Sequence, residues 1–427
     1  MADDPFDIPG SRLSLRERRR RRQAARQERK RKRRLLALPL TLVVALAIAI
    51  GLASAKNETA APRKPARSAR RSAAKPTVVR SGGSLAPAKF GGLAALWSAA
   101  NVVGAQPETA AAYAAASQHG GLPGYLVIAD RGNNRILVVD PRHRLDFEFP
   151  NAAERAHGKR LFFNDDTFVE PGGKALIANE EDNNDVVEVA LADRSLRRLF
   201  GHPGVAGSDS SHLHTPDDAY MLPGGTFTVA DAYGCRIVFV RQHRIVRQYG
   251  SSGVCRHEPP RYLDAVNGDT PMADGGVLVS EINGSWIDEI SRSGHVVFAT
   301  KVPVSYPSDP QPLPGGRILL ADYSEPGHLL IVDRHGRVLW SYGPSSGHGM
   351  LNHPSLAMPL PNGDIAVNDD YRDRVVVIDP RSKRIVWQYG HTDKPGTARG
   401  YLHIPDGMDF VPAGPRGGPD YAAVVHP

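Results

Sequence analysis

The chain has 427 residues, 41% of them hydrophobic, and a formal net charge of +8 from 53 Lys/Arg against 45 Asp/Glu. Residues 1–80 hold 22 basic and 6 acidic side chains, leaving 31 basic and 39 acidic for the remainder, a balance of −8. The positive total therefore comes from one end, and nucleic acid is excluded as an expected partner of the acidic remainder.

Residues 1–34 form a basic tail with fourteen Lys/Arg, mostly in RERRRRRQAARQERKRKRR (16–34). An uncharged run follows at 35–55, LLALPLTLVVALAIAIGLASA. Its length suits a helix crossing a ~30 Å hydrocarbon core. The arginines on one side place the tail in the cytoplasm and everything after Lys56 outside. Ala53-Ser54-Ala55 also resembles a signal-peptidase site. The long charged region and long apolar run favour an uncleaved anchor. The tail either rests on anionic lipid headgroups or only sets the topology. Residues 56–84 are Ala, Pro, Ser and basic residues with few core-forming side chains, the composition of a disordered spacer. Within 85–121, LAALWSAANVV and PETAAAYAAASQ read as short helices, the second opened by Pro107 and closed by Gly120-Gly121.

From 122 to 413 one sentence is written six times: GYLVIADRGNNRILVVD, GKALIANEEDNNDVVEV, GTFTVADAYGCRIVFV, GVLVSEINGSWIDEI, GRILLADYSEPGHLLIV and GDIAVNDDYRDRVVVID. The matching small residues are Ala129, Ala178, Ala230, Ser280, Ala321 and Asn368, spaced 49, 52, 50, 41 and 47 apart. Short β-branched runs at a period of about 40–50 residues predict a β-propeller. In the third copy, LHTPDDAYMLPGG (213–225) reads as strand a, TFTVAD as b, CRIVFV as c and HRIVRQYG (243–250) as d. The first copy lacks a strand a, while LHIPDGMDFVP (402–412) is a strand a with nothing after it. Joining the two closes a ring of six four-stranded blades, with seven the alternative, and leaves no free sheet edge. Residues 414–427 are a C-terminal tail.

The two cysteines fall in the third blade. Cys235 is in its b–c turn and Cys255 in the loop leaving strand d. Both loops emerge on one face, and an extracytoplasmic location favours a disulfide between them; two free buried thiols are the other reading.

The acid closing strand b recurs as Asp130, Asp231, Glu281, Asp322 and Asp369, with Asn179 in the second blade. Asp130 with Arg135, Asp231 with Arg236 and Asp369 with Arg374 suit ion pairs that pin the b–c hairpins. Glu281 and Asp322 have Trp286 and Gly327 in the arginine's place, which makes them candidates for an external partner. A second series, at the start of strand a, reads Asp166, Asp218, Asp269 and Asp309, then Leu356 and Gly407. Strand a lines the channel, so these carboxylates should converge there and raise one another's pKa unless a cation answers them. Calcium would suit; hydrogen bonds to backbone amides of neighbouring blades are the bland explanation. Tyr262 and Tyr306 precede the strands carrying Asp269 and Asp309 and could supply hydroxyl donors or an apolar wall. His214, His403 and His353 at the mouth could hold zinc, or merely satisfy the repeat's need for a polar residue before proline. No nucleophile elbow, phosphate loop or cysteine zinc signature occurs.

The strand-a proline, Gly-Gly turn, xxVAD, RIxVxD and closing YG resemble the NHL repeat family over about 120–412. IDPRSKRIVWQYG and VDRHGRVLWSYG resemble the tryptophan-bearing repeats of quinoprotein-like propellers. The resemblance implies a six-bladed ring. The family and its relatives range over protein- and ligand-binding modules, a zinc amidating lyase, calcium lactonases and periplasmic arylsulfotransferases. Only Trp340 and Trp387 match the tryptophan that docks quinoprotein blades, and pyrroloquinoline quinone is not expected. The leading expectation is a membrane-anchored, extracytoplasmic module that binds or scaffolds a protein, glycan or small molecule. The alternative is a metal-dependent lactonase, lyase or arylsulfotransferase-like enzyme at the channel mouth.

Overall fold

The computed structural model describes residues 121–424, so the tail, the apolar segment 35–55, the spacer and all but the last residue of 85–121 lie outside the described residues. Among the described residues no helix is long and apolar enough to cross a membrane. The only α-helix among them, α1 (Ala152–Ala156), is closed by a capping box between Asn151 and Glu154.

Six antiparallel sheets form the propeller. Blade one runs from the channel outward as β25 (Pro405–Pro412), β1 (Gly124–Asp130), β2 (Arg135–Val139) and β3 (Leu145–Phe149). Blade two is β4 (Asn164–Val169), β5 (Ala175–Glu180), β6 (Asp185–Ala190) and β7 (Leu196–Gly201). In blade three the innermost strand is split into β8 (Pro216–Asp218) and β9 (Met221–Leu222). They pair with β10 (Thr226–Asp231), followed by β11 (Arg236–Arg241) and β12 (Arg244–Gly250). Blade four is β13 (Val266–Pro271), β14 (Val277–Glu281), β15 (Trp286–Ile290) and β16 (Val296–Lys301). Blade five is β17 (Pro307–Leu313), β18 (Arg317–Asp322), β19 (His328–Asp333) and β20 (Val338–Tyr342). Blade six is β21 (Ala357–Pro359), β22 (Ile365–Asp369), β23 (Arg374–Asp379) and β24 (Arg384–Gly390). Six blades, not seven, close the ring. The closure is the pairing of β1 with β25, from Gly124↔Pro412 to Asp130↔Pro405.

The apolar runs form strands because each blade is sandwiched. Leu126, Val127, Ile128 and Ala129 of β1 are all 0% exposed, although successive residues point to opposite faces. One face packs on blade six and the other on blade two. Strand d is the outer edge, and β12 is only partly buried. The tryptophans of blades five and six staple neighbours together: Trp340 Nε1 donates to the Pro380 carbonyl and Trp387 Nε1 to that of Pro141, both at 2.9 Å. The YG signature also has a physical cause. Gly250 and Gly390 have φ of +80° and +89°, and a Cβ there would strike the Cys235 and Asp373 carbonyls of the adjoining b–c turn. Residues after β25 fold back on the ring, with Tyr421 and Val424 packed against blades one and two.

Cys235 and Cys255 form a disulfide with a Cα separation of 5.2 Å. It ties the blade-three b–c turn to the loop 251–263, itself folded by bridges at Cys255↔Leu263 and Glu258↔Tyr262. It closes a loop of about 21 residues, and reduction is expected to lower stability by ~3 kcal/mol. Urea unfolding with and without reductant measures this; coincident curves would remove the claim.

Candidate ligand site at the channel mouth

The b–c turns and the loops entering strand a meet on one face. Gly132, Tyr233, Tyr323 and Tyr371 donate their N–H groups to the carbonyls of His403, His214, Tyr306 and Asn352. The acid ending strand b completes this junction in every blade by accepting a lead-in N–H. Asp130 accepts from His403 (2.8 Å), Glu180 from Phe162 (2.8 Å), Asp231 from His214 (2.5 Å), Glu281 from Asp264 (2.7 Å), Asp322 from Ser305 (3.1 Å) and Asp369 from Asn352 (2.7 Å). Three of them also hold their arginines: Asp130–Arg135 at 2.6 Å, Asp231–Arg236 at 2.6 Å and Asp369–Arg374 at 2.7 Å.

Two expectations change here. Blade two is registered one residue later than its text suggests, because Glu180 faces Asp185 as Asp130 faces Arg135. Glu180, not Asn179, is the junction acid. With an acid in the arginine's place, burial and the Glu180 carboxyl push Asp185 up to about 8. Glu281 and Asp322, for their part, each commit one oxygen to the junction: Glu281 Oε2 takes the Asp264 amide, and Asp322 Oδ1 takes the Ser305 amide and, at 3.0 Å, the Ser305 hydroxyl. Their second oxygens face histidines, Glu281 Oε1 at 3.1 Å from His257 Nδ1 and Asp322 Oδ2 at 3.5 Å from His328 Nδ1.

The innermost strands carry two tiers of polar side chains into the channel. Pro216, Val266, Pro307, Pro405 and Asn164 share one register, each opposite its junction acid. The next position reads Asp165, Asp217, Asn267, Ser308, Ser355 and Asp406, and the one after it Asp166, Asp218, Gly268, Asp309, Leu356 and Gly407. Asp269 therefore lies one residue further along than the expected series. The glycines make room: a Cβ on Gly407 would collide with Asp166 Oδ1, and one on Gly268 would sit 2.9 Å from Asp309 Oδ1.

The first tier is a hydrogen-bonded arc. Asn267 donates to Asp217, the Ser308 hydroxyl donates to Asn267 at 2.8 Å, and Ser355 donates to Asp370 at 3.0 Å. Arg131, from the blade-one b–c turn, pairs with Asp165 at 2.7 Å and with Asp406 and Glu181. Its guanidinium also lies 4.2 Å from the Phe163 ring centroid. Burial opposes ionisation of Asp406, yet Arg131 and hydrogen bonds from Asp165 and Ser355 hold it below the ordinary carboxylate range. The carboxyls nearby move the other way. Burial, then the charges of Asp309 and Asp218, push Asp166 well up, and burial, then Asp218 and Asp217, do the same to Asp309. Asp217 and Asp370 are also raised, each by burial and then by Asp406.

Above the acids stands an aromatic rim. Tyr306 and Tyr323 centroids are 5.1 Å apart, Tyr323 and His353 4.9 Å, and His353 and Tyr371 4.8 Å. Burial and the channel carboxyls keep the Tyr306 and Tyr323 hydroxyls protonated, hence available as donors.

Of the residues singled out from sequence, Asp166, Asp218, Asp309 and Tyr306 come together here, with Asp269 beside Asp218. Tyr262 does not join them: its ring lies under Arg256, 3.6 Å from the guanidinium, in the disulfide loop. His214, His403 and Asn352 are the N–H donors of the junction; His353 belongs to the rim. The sequence reading missed Arg131, Asp165, Asp217, Asp370 and Asp406. The doublets Asp165-Asp166 and Asp217-Asp218 were the available signal, since a bulge after the first residue turns both carboxyls inward.

No protein-family model and no curated protein matches the chain. Among solved structures it is similar to a protein of unknown function from Bacteroides caccae, at 17% identity over 67% of this chain and 98% of that one, TM-score 0.47. A nidogen/laminin complex is similar at 11% identity over 66% and 97% of the two chains, TM-score 0.47. Virginiamycin B lyase from Staphylococcus aureus with quinupristin is similar at 13% identity over 66% and 87%, TM-score 0.43. At these identities the likeness is one of fold alone.

Proposed function

We propose that the propeller is a ligand-binding module, held outside the cytoplasmic membrane by segment 35–55, whose channel mouth receives the cationic group of a small molecule. One observation carries this reading: Asp165, Asp166, Asp217, Asp218, Asp269, Asp309, Asp370 and Asp406 are all buried, and among the described residues Arg131 is the cation set among them. Arg131 sits toward blades one, two and six, with Phe163 against its guanidinium. On the side of Asp166 and Asp309 the rim's Tyr306 is in place, and the charges acting most strongly on both carboxyls are other carboxylates, with no cation of the described residues among them. An ammonium or guanidinium there would gain both the field of the carboxylates and contact with aromatic faces. A second reading, calcium, is favoured by Asp166 Oδ1 and Asp309 Oδ1, which are buried and accept no hydrogen bond.

The test is calorimetric titration of the purified full chain, stripped with chelator, with agmatine, choline and calcium in turn. Amine binding that disappears in Asp309→Asn and weakens in Tyr323→Ala supports the first reading. Stoichiometric calcium without amine binding supports the second, and no binding of either kind sinks both.

The Cys235–Cys255 disulfide supports an oxidising compartment. Protease added to intact cells is expected to clip 56–84 or digest the propeller while residues before Leu35 stay protected. Recovery of soluble protein beginning near Lys56 would show a cleaved signal instead.

A further inference from the structure

We propose that His257, Glu281 and Asp288 form a second site, for a transition-metal cation of the zinc class. The site is separate from the channel tiers. Glu281 ends β14, Asp288 is the third residue of β15, and His257 lies in the loop pinned two residues earlier by the Cys235–Cys255 disulfide. One donor atom from each residue lies within 4.8 Å of the other two. His257 Nδ1 is 3.1 Å from Glu281 Oε1 and 3.8 Å from Asp288 Oδ2.

Asp288 is the observation that points outward. The residue two places into strand c is Leu137, Val187, Val238, Leu330 and Val376 in the other blades, every one of them buried. Blade four puts a carboxylate at this core position, 0% exposed; no N–H or hydroxyl donates to its oxygens, which face the carboxyl of Glu281 and, at 3.8 Å, His257 Nδ1. A buried acid where the repeat needs an aliphatic side chain is a liability to folding unless something answers it. The junction arginine that could have done so is replaced by Trp286, whose ring stacks on His257 at 3.8 Å between centroids and 5° between planes. That stacking fixes the imidazole. The N–H of Asp264, 2.7 Å from Glu281 Oε2, fixes the first carboxylate.

The donor set selects the ion. One imidazole and two carboxylates are too few oxygens, and one nitrogen too many, for calcium. They match the three protein donors of an open tetrahedral zinc site. The His257 side chain is 20% exposed and those of Glu281 and Asp288 are 0% exposed, so the imidazole is the donor on the solvent side.

The experiment is titration of the chelator-stripped full chain with zinc, followed by calorimetry and by tryptophan fluorescence, which should report the Trp286–His257 stack. The expected result is one zinc per chain, with affinity in Asp288→Leu and His257→Gln reduced by more than the ~10–100-fold that loss of an outer partner costs. In chelator, Asp288→Leu should melt at or above the parent temperature, because it restores the residue type of the other blades. If Asp288→Leu fails to fold, His257→Gln alone decides, and its zinc affinity must fall. Asp309→Asn should keep full zinc binding, so failure of the channel reading leaves this one standing. A parent chain that takes no zinc, or variants that take it as the parent does, overturns the proposal.

Discussion

Replacing Arg236 with methionine is expected to cost about 3–5 kcal/mol at neutral pH, the range for breaking a buried ion pair on one side. Arg236 is 1% exposed and its guanidinium serves four acceptors. It donates to Asp231 at 2.6 Å, Ser252 at 2.9 Å, Gln248 at 3.3 Å and the His212 carbonyl at 2.8 Å. Methionine would leave Asp231 unpaired in an apolar surround, where it must either stay ionised or take up a proton, and would release the loop that Arg236 ties to the b–c turn. Acid should narrow the gap. Burial pushes Asp231 up to about 6 even with Arg236 beside it. A carboxyl raised on folding takes up a proton that the unfolded chain, at about 3.9, has already lost. Stability from this group therefore rises as pH falls through about 6 and is lost on the way back. Without the guanidinium the shift is larger, so the variant gains more from acid than the parent. Urea unfolding at neutral and at mildly acid pH measures both effects. Asp231→Leu combined with Arg236→Met should recover most of the loss. A single-variant cost under ~1 kcal/mol, or a gap that does not narrow, contradicts the assignment.

Asp309→Asn should act in the opposite direction, stabilising the metal-free protein at alkaline pH. Asp309 is 3% exposed, and burial followed by the charges of Asp218 and Asp217 raises it. Asp166 and Asp217 are raised in the same way. Folded carboxyls then hold protons that the unfolded chain releases near pH 4, and melting temperature should fall as pH rises above that ordinary carboxylate range. Asparagine removes one such carboxyl without a backbone penalty, because φ at 309 is 35° and Asn tolerates the left-handed region. Each kcal/mol recovered should appear as about 2–4 °C. Calcium or agmatine, whichever binds, should remove more of the parent's alkaline loss than of the variant's. Scanning calorimetry across pH settles it. A parent whose melting temperature rises with pH above the carboxylate range would mean that the channel charges are answered by groups of the ring itself.

The ring was readable because its evidence is repetition. Six Gly-apolar-acid units, with the sixth strand a displaced to 402–412, leave little choice of architecture, and the glycines of YG mark where strand d meets its turn in blades three, five and six. Register was less readable. Glu180 and Asp269 each sit one place from where their text suggests, since a bulge or an extra acid shifts pairing without changing the apolar pattern. The three junction ion pairs could be taken from a fixed offset of five. The backbone amides that occupy Glu281 and Asp322 could not, because an N–H has no letter in the sequence. Arg131 was hidden for another reason. It follows directly on Asp130, and the turn that carries it inward is shaped by the αL residue Asn134, at φ 52°, and by the Gly132 N–H on the His403 carbonyl.

The pairing of β1 with β25 has a consequence for how the protein comes into being. Blade one is built from the first and last strands of the repeat array, so its edge stays unpaired until 405–412 has been synthesised. During elongation at about 5–20 residues per second, the segment between them needs roughly 15 to 55 seconds. Blades two to six can form in that interval, but they form an open arc with a bare rim at each end. The nascent chain is then most exposed to edge-to-edge association just before it is finished, and a truncation short of residue 405 would hold it there permanently.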